Sequence, residues 1–80
     1  MRTTEYFIHT RTRPDRLRIT DEWILRAIHI PVSVSRQMDG RLRHWAYIQE
    51  EGKYLRVVLL ADGETVHNAF FDSGFLPGAR

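Results

Sequence analysis

The chain has 80 residues, a formal net charge of +2 at pH 7 and no cysteine. This length corresponds to one domain, near the lower limit at which a hydrophobic core holds a fold without cross-links. The lack of cysteine excludes disulfides and thiolate metal sites as cross-links. The N-terminus has no apolar signal core, and no apolar run approaches the roughly 20 residues of a membrane span. These features predict a cytoplasmic protein without a membrane segment.

Arginine dominates the basic residues, since eleven of the twelve are Arg and only Lys53 is Lys. A guanidinium is a planar fork of donors that suits phosphates and stacks on bases, although a GC-rich genome would produce the same bias. Several arginines are concentrated near the N-terminus, namely Arg2, Arg11, Arg13, Arg16 and Arg18. This asymmetry predicts a basic face.

The first part of the chain predicts one strand and one helix. Residues 4–9 form a short β-prone run, and residues 10–18 read as a polar loop or an extended basic arm. Thr20 is a good helix N-cap, and apolar side chains recur at helical spacing as far as Ile30. Pro31 ends this helix, which is too short to be stable unless it packs on the sheet.

The second part of the chain predicts four strands joined by tight turns. Two Asp-Gly pairs, at 39–40 and 62–63, are hairpin signals. Leu55, Val57 and Leu59 share one face of their strand, which we expect to pack against the helix. The predicted strands are 32–38, 41–49, 54–61 and 64–71.

The predicted fold class is α+β. One short helix packs on a four- to five-stranded antiparallel sheet, in the order β-α-β-β-β-β. Residues 1–76 form a single domain, and residues 77–80 form a flexible tail.

The four histidines raise the question of a metal site. His9, His29, His44 and His67 share no short ligand spacing, and no cysteine supports them. No glycine-rich phosphate loop occurs either. The sequence therefore predicts neither a metal nor another cofactor.

Metal-free RNA cleavage is the chemistry that the remaining residues favour. Cleavage through the 2′-OH of RNA needs a base, an acid and cations around the phosphorane. His44 and His67 are the acid–base candidates, because an imidazole titrates near neutral pH. Arg43 and Arg56 are the candidates for stabilising the scissile phosphate. These four residues are the predicted catalytic set.

A second group of residues predicts RNA binding. Trp45 and Tyr47 share a strand face with Arg43, a mixture that can stack a base and bind its backbone. The alternative is that both rings only pack across strands and that Arg43 is an exposed strand residue. His9 is either a ligand contact or a turn residue. The predicted RNA-binding residues are His9, Arg11, Arg13, Arg16, Arg18, Trp45 and Tyr47.

Several short stretches resemble a family of small uncharacterised bacterial proteins that is grouped with BrnT-type toxins and, more distantly, with the RelE/ParE superfamily. These stretches are His9, Arg13 and 16–20 before the helix, and then 39–45, 54–58 and 65–72. The resemblance spans nearly the whole chain. It implies a RelE-like fold, a ribonuclease-toxin ancestry and a small acidic antitoxin-like partner encoded alongside.

The chain departs from BrnT-type toxins after its last strand, where those proteins carry further basic residues and helical structure. The leading hypothesis is a toxin-like, metal-independent RNA endonuclease that acts on mRNA, either alone or on the ribosome. One alternative is a non-catalytic toxin-fold binding module that pairs with a small partner protein. A DNA-binding regulator is a third hypothesis, which the apolar helix disfavours. Edge strands also predict a homodimer or a complex with the acidic partner.

Overall fold

A computed structural model describes residues 1–78, which form two helices and one four-stranded antiparallel sheet. Residues 79 and 80, part of the predicted tail 77–80, lie outside the described residues. The helices are α1 (Glu5–Thr10) and α2 (Asp21–His29). The strands are β1 (Ser33–Arg36), β2 (Leu42–Ile48), β3 (Lys53–Leu59) and β4 (Val66–Phe71), and they lie in the sheet in chain order. The predicted α+β class and antiparallel meander are confirmed.

The predicted first strand is wrong, because these residues form α1 instead. The Thr4 hydroxyl caps the helix by accepting a hydrogen bond from the Phe7 amide at 3.1 Å. Phe7 is only 2% exposed and lies in the hydrophobic core. A six-residue helix is not stable in isolation, so burial of Phe7 overrides the β propensity of the segment. The order of elements is α-α-β-β-β-β.

Helix α2 confirms the prediction made from Thr20. The Thr20 hydroxyl accepts a hydrogen bond from the Trp23 amide at 3.1 Å, and acidic residues occupy the first turn. Ile24 and Ala27 are fully buried, and the helix packs against β2 and β3. No helix within residues 1–78 is long and apolar enough to cross a lipid bilayer.

The two faces of the sheet have different surroundings. The helix face packs against α2 and carries Leu55, Val57 and Leu59, which are fully buried as predicted. The opposite face, here called the open face, is not covered by α2. Its residues are Ser33 and Ser35 of β1, Arg43, Trp45 and Tyr47 of β2, Tyr54, Arg56 and Val58 of β3, and Asn68 and Phe70 of β4.

A shift in register between β3 and β4 places His67. Val58 pairs with Asn68 but the next residue, Leu59, pairs with Val66, so His67 is an extra residue in β4. The bulge lets both Val66 and Ala69 reach the core. It also brings His67 beside α1.

Candidate nucleic-acid interface on the open face

An ion pair between Arg56 and Asp72 occupies the centre of the open face. Arg56 donates from Nε and Nη2 to one Asp72 oxygen at 3.0 and 2.8 Å, and the Trp45 indole donates to the same oxygen at 3.0 Å. Burial disfavours the charged carboxylate, but these hydrogen bonds outweigh it and hold the pKa of Asp72 below its usual value. The carboxylate therefore fixes both side chains and already balances the charge of Arg56.

Aromatic rings surround this ion pair. The Arg56 guanidinium lies 5.4 Å from the centroid of the Trp45 ring and 5.1 Å from that of Phe70, which are cation–π distances. Phe75, in the segment after β4, stacks on Trp45 with centroids 4.7 Å apart. Trp45 is only 7% exposed. Phe75 is therefore the more exposed ring of this stacked pair, and it covers the predicted Trp45.

The rings continue as a row toward the edge of the face. Tyr54 meets both Phe75 and Tyr47 edge to face, with centroids 5.0 Å apart in each pair. Tyr47 is 44% exposed. We call Trp45, Phe75, Tyr54 and Tyr47 the aromatic row. Sequence reasoning missed Phe75 and Asp72, and the only signal was an aromatic residue within an otherwise turn-rich segment.

A groove of about 780 Å³ lies beside the aromatic row. It is lined by β1 and β2 on one side and by the segment after β4 on the other. Arg43 lines it with its guanidinium 5.8 Å from the Trp45 centroid. No carboxylate among residues 1–78 forms an ion pair with Arg43. Its charge is therefore available to a ligand in the groove.

A smaller cavity of about 360 Å³ is lined by residues of α1, β3 and β4 and of the turn between β1 and β2. We call it the His67 cavity. Arg56 lines both this cavity and the groove. Tyr6, Arg41 and His67 also line it. The bulge in β4 thus brings one predicted histidine to the same cavity as a predicted arginine.

The surroundings of His67 favour its neutral form. Its Nδ1 lies 3.1 Å from the Thr4 hydroxyl oxygen, and its ring stacks on Tyr6 with centroids 4.8 Å apart. Burial lowers the pKa of His67 from its usual 6.5 and Arg41 lowers it further, while Asp39 opposes them. His67 is therefore mainly uncharged at neutral pH and able to accept a proton.

His44 lies on the helix face, away from the other predicted catalytic residues. Its Nδ1 is 3.0 Å from the Ala27 carbonyl oxygen, so the side chain is tied to α2. Neighbouring residues of a strand point to opposite faces, which separates His44 from Arg43. The structure therefore does not bring His44 together with Arg56 and His67, and the predicted four-residue set does not form.

Among the arginines before α2, Arg16 borders the open face. Its Nη1 donates to the Asn68 side-chain oxygen at 2.6 Å, and its guanidinium lies 5.3 Å from the Phe70 centroid. This contact holds the loop between the helices against β4. Arg16 is thus the predicted arm residue that joins the interface.

The other arm residues are either engaged in ion pairs or exposed. Residues 11–18 make a series of turns rather than an extended arm. Arg11 pairs with Asp21, and Arg18 pairs with Glu51 at 3.0 Å. The remaining two predicted residues, His9 and Arg13, are exposed.

No protein-family model, curated protein or solved structure matches this chain. Among residues 1–78, no three potential metal-ligating side chains of His, Asp or Glu come together. The functional proposal therefore rests on the residues of the open face and of its two cavities.

The structure brings a majority of the predicted site residues to one surface. Those on the open face or at its border are Arg16, Arg43, Trp45, Tyr47, Arg56 and His67. The surface combines stacked rings, guanidinium groups and one neutral imidazole. This combination suits a ligand that has both flat rings and negative charges.

Proposed function

We propose that this protein binds single-stranded RNA on the open face of its sheet. The observation that carries the proposal is the aromatic row beside Arg43, whose charge no carboxylate among residues 1–78 balances. Aromatic rings stack on bases with little sequence preference, and a neighbouring guanidinium binds the backbone. The resemblance to RelE-type proteins supports an RNA ligand, which implies action in the cytoplasm.

A single strand fits this face better than a duplex. The rings of Phe75 and Tyr47 can stack only on bases that are not already stacked in a helix. Duplex DNA is usually read by a helix that enters the major groove. Here the inner side of α2 is buried on the sheet through Ile24 and Ala27. The open face, rather than a helix, is therefore the proposed binding surface.

Removal of one exposed ring tests this proposal. Loss of a base-stacking ring costs about 1–3 kcal/mol, so we expect Tyr47→Ala to weaken binding about 5- to 150-fold. Fluorescence anisotropy with a labelled oligouridylate at fixed salt measures the change. Leu25→Ala, which removes a similarly exposed side chain of α2, is the matched control and should leave the affinity unchanged.

The salt dependence of the same titration gives a second readout. Arg43→Gln should lower the slope of log affinity against log salt by about one phosphate contact. The proposal is wrong if the oligonucleotide does not bind saturably, or if Tyr47→Ala and Leu25→Ala bind it equally well.

RNA cleavage is a second proposed function, and the His67 cavity is the observation that favours it. A neutral His67 can take the proton of a 2′-OH as that oxygen attacks phosphorus, while water protonates the departing 5′ oxygen. Arg41 and Arg56 line the same cavity as candidate phosphate contacts. Asp72 already pairs with Arg56, which weakens the role of that arginine. His67 is therefore the residue whose loss matters most in this proposal.

Cleavage by His67 has a defined dependence on substitution and pH. His67→Gln should slow cleavage about 10²–10⁴-fold, as expected for loss of a general base. The acidic limb of the wild-type rate profile should lie below the usual histidine pKa of 6.5, because the pKa of His67 is lowered. Incubation with structured RNA, with and without ribosomes, measures both effects.

His29→Gln is the matched control, because His29 is exposed at the end of α2. It should leave the rate unchanged. If no cuts ending in 2′,3′-cyclic phosphate form under either condition, cleavage is discarded and the binding proposal stands alone.

A further inference from the structure

Two buried polar atoms without partners lie on neighbouring strands at the groove. Ser35 Oγ and Arg43 Nε are buried and have no hydrogen-bond partner among residues 1–78. The two residues pair directly across β1 and β2, and both line the groove. An unpaired polar group in a buried place is unfavourable. Rotation of these two side chains toward the groove would let the oxygens of a ligand satisfy both atoms.

The charge at this place is positive and unbalanced. Arg43 forms no ion pair within the described chain, whereas Asp72 neutralises Arg56 on the next strand. Asp72 also lines the groove, and its carboxylate repels an anion from the end of the groove at which it lies. An anionic oxygen is therefore most favourable at the β1 side, next to Ser35 and Arg43.

The donors along the groove suit a phosphate. Ser33 and Ser35 are two residues apart on β1, so they lie on one face with their Cα atoms about 7 Å apart. Together with Arg43 they place donors on two strands, which the tetrahedrally arranged oxygens of a phosphate can contact from one position more readily than the two coplanar oxygens of a carboxylate. Phe75 and Leu76 form an apolar wall of the same groove, against which a nucleoside can pack.

We propose that Ser35 and Arg43 form a binding site for the phosphate group of a nucleotide. The inference rests on the proposed RNA function for the source of this phosphate. An RNA strand presents it as a diester and a free nucleotide as a monoester, and both offer anionic oxygens to the same donors. A bound RNA strand passes its backbone over β1 and β2 and its bases over the aromatic row. The site thus fixes the position of the strand relative to the exposed rings.

Nuclear magnetic resonance of isotope-labelled protein tests the site directly. We titrate inorganic phosphate, uridine monophosphate and acetate, and we expect phosphate and the nucleotide to shift the Arg43 Nε–H and Ser35 amide signals. Arg36, an exposed arginine of β1 whose guanidinium donates to the Gly40 carbonyl, is the internal control. Equal shifts at Arg36, or acetate binding as tight as that of phosphate, would overturn the assignment.

Three variants measure the contribution of each donor. Ser35→Ala should weaken nucleotide binding about fivefold, as expected for one hydrogen bond. Arg43→Lys keeps the charge but lacks the Nε–H group, and it should weaken binding more than about tenfold. Arg36→Lys is the matched control. Equal nucleotide affinity in all three variants contradicts the phosphate site.

The same variants separate this inference from the proposed function when the oligouridylate is the ligand. RNA binding that depends on Tyr47 but not on Ser35 or Arg43 overturns the phosphate site and leaves RNA binding on the open face. Nucleotide binding at Arg43 without any RNA binding supports the site and overturns the RNA function.

Discussion

Phe7→Ala is expected to lower the free energy of unfolding by about 3–5 kcal/mol, the usual cost of truncating a buried phenylalanine. Phe7 is 2% exposed and packs in the core together with Ile24 and Val66. Its removal leaves a cavity beneath α1 and takes away the main apolar contact of that helix. Urea unfolding followed by tryptophan fluorescence measures the loss.

Ile8→Ala is the matched control, because the next side chain of α1 is 49% exposed. This substitution should change the free energy of unfolding by less than about 1 kcal/mol. A similar loss in both variants would show that α1 does not dock through Phe7. Such a result would support the predicted strand at residues 4–9 instead.

Asp72→Asn is expected to destabilise the protein by about 3 kcal/mol, the lower end of the cost of breaking a buried ion pair. Asp72 and Arg56 are 12% and 26% exposed, so the arginine left behind is only partly hydrated. The Trp45 indole also loses a charged acceptor. Asp39→Asn is the control, because its ion pair with Arg41 is exposed and worth less than about 1 kcal/mol.

The pH dependence of stability gives this prediction a definite sign. The pKa of Asp72 is lower in the folded protein than its usual 3.8. Asp72 therefore contributes its full stabilisation above the pKa that its carboxyl has in the unfolded chain. This contribution is lost as the pH falls through the lower pKa that the carboxyl has in the folded protein. The stability difference between wild type and Asp72→Asn should narrow over the interval below pH 3.8, as the pH falls toward and through the lowered pKa of the folded protein. A constant difference over this interval would contradict the assignment of the ion pair.

The elements that sequence reasoning predicted are those with a local physical signal. Thr20 is a cap whose partner lies three residues away, and the Asp-Gly turns require glycines with positive φ, as at Gly40 and Gly63. The buried face of β3 is predicted by the alternation of side chains along a strand alone. Helix α1 also begins at a threonine cap, Thr4, but its six residues are too few for a helical period, and its stability comes from Phe7 in the core.

The candidate site was harder to predict than the fold, because its side chains are held by residues that are distant in the sequence. Arg56 and Trp45 were identified, but both are positioned by Asp72, which is 16 and 27 residues further along the chain. A single sequence does not show which carboxylate pairs with which arginine in the folded protein. His44 was chosen because an imidazole titrates near neutral pH, but the strand places it on the face opposite Arg43.

The way α1 is attached also bears on how long the folded state survives. Backbone hydrogen bonds join Thr4 and Arg2 to Val66, and a side-chain contact joins Thr4 to His67 across 63 positions of sequence. A helix of six residues does not persist by itself, so we expect α1 to dock only after β4 has joined the sheet. Stopped-flow measurements on Phe7→Ala should then show faster unfolding at nearly unchanged refolding rate, which is a φ-value close to zero. The N-terminus would thus govern the kinetic lifetime of the native state, while the β-hairpins govern the speed at which it forms.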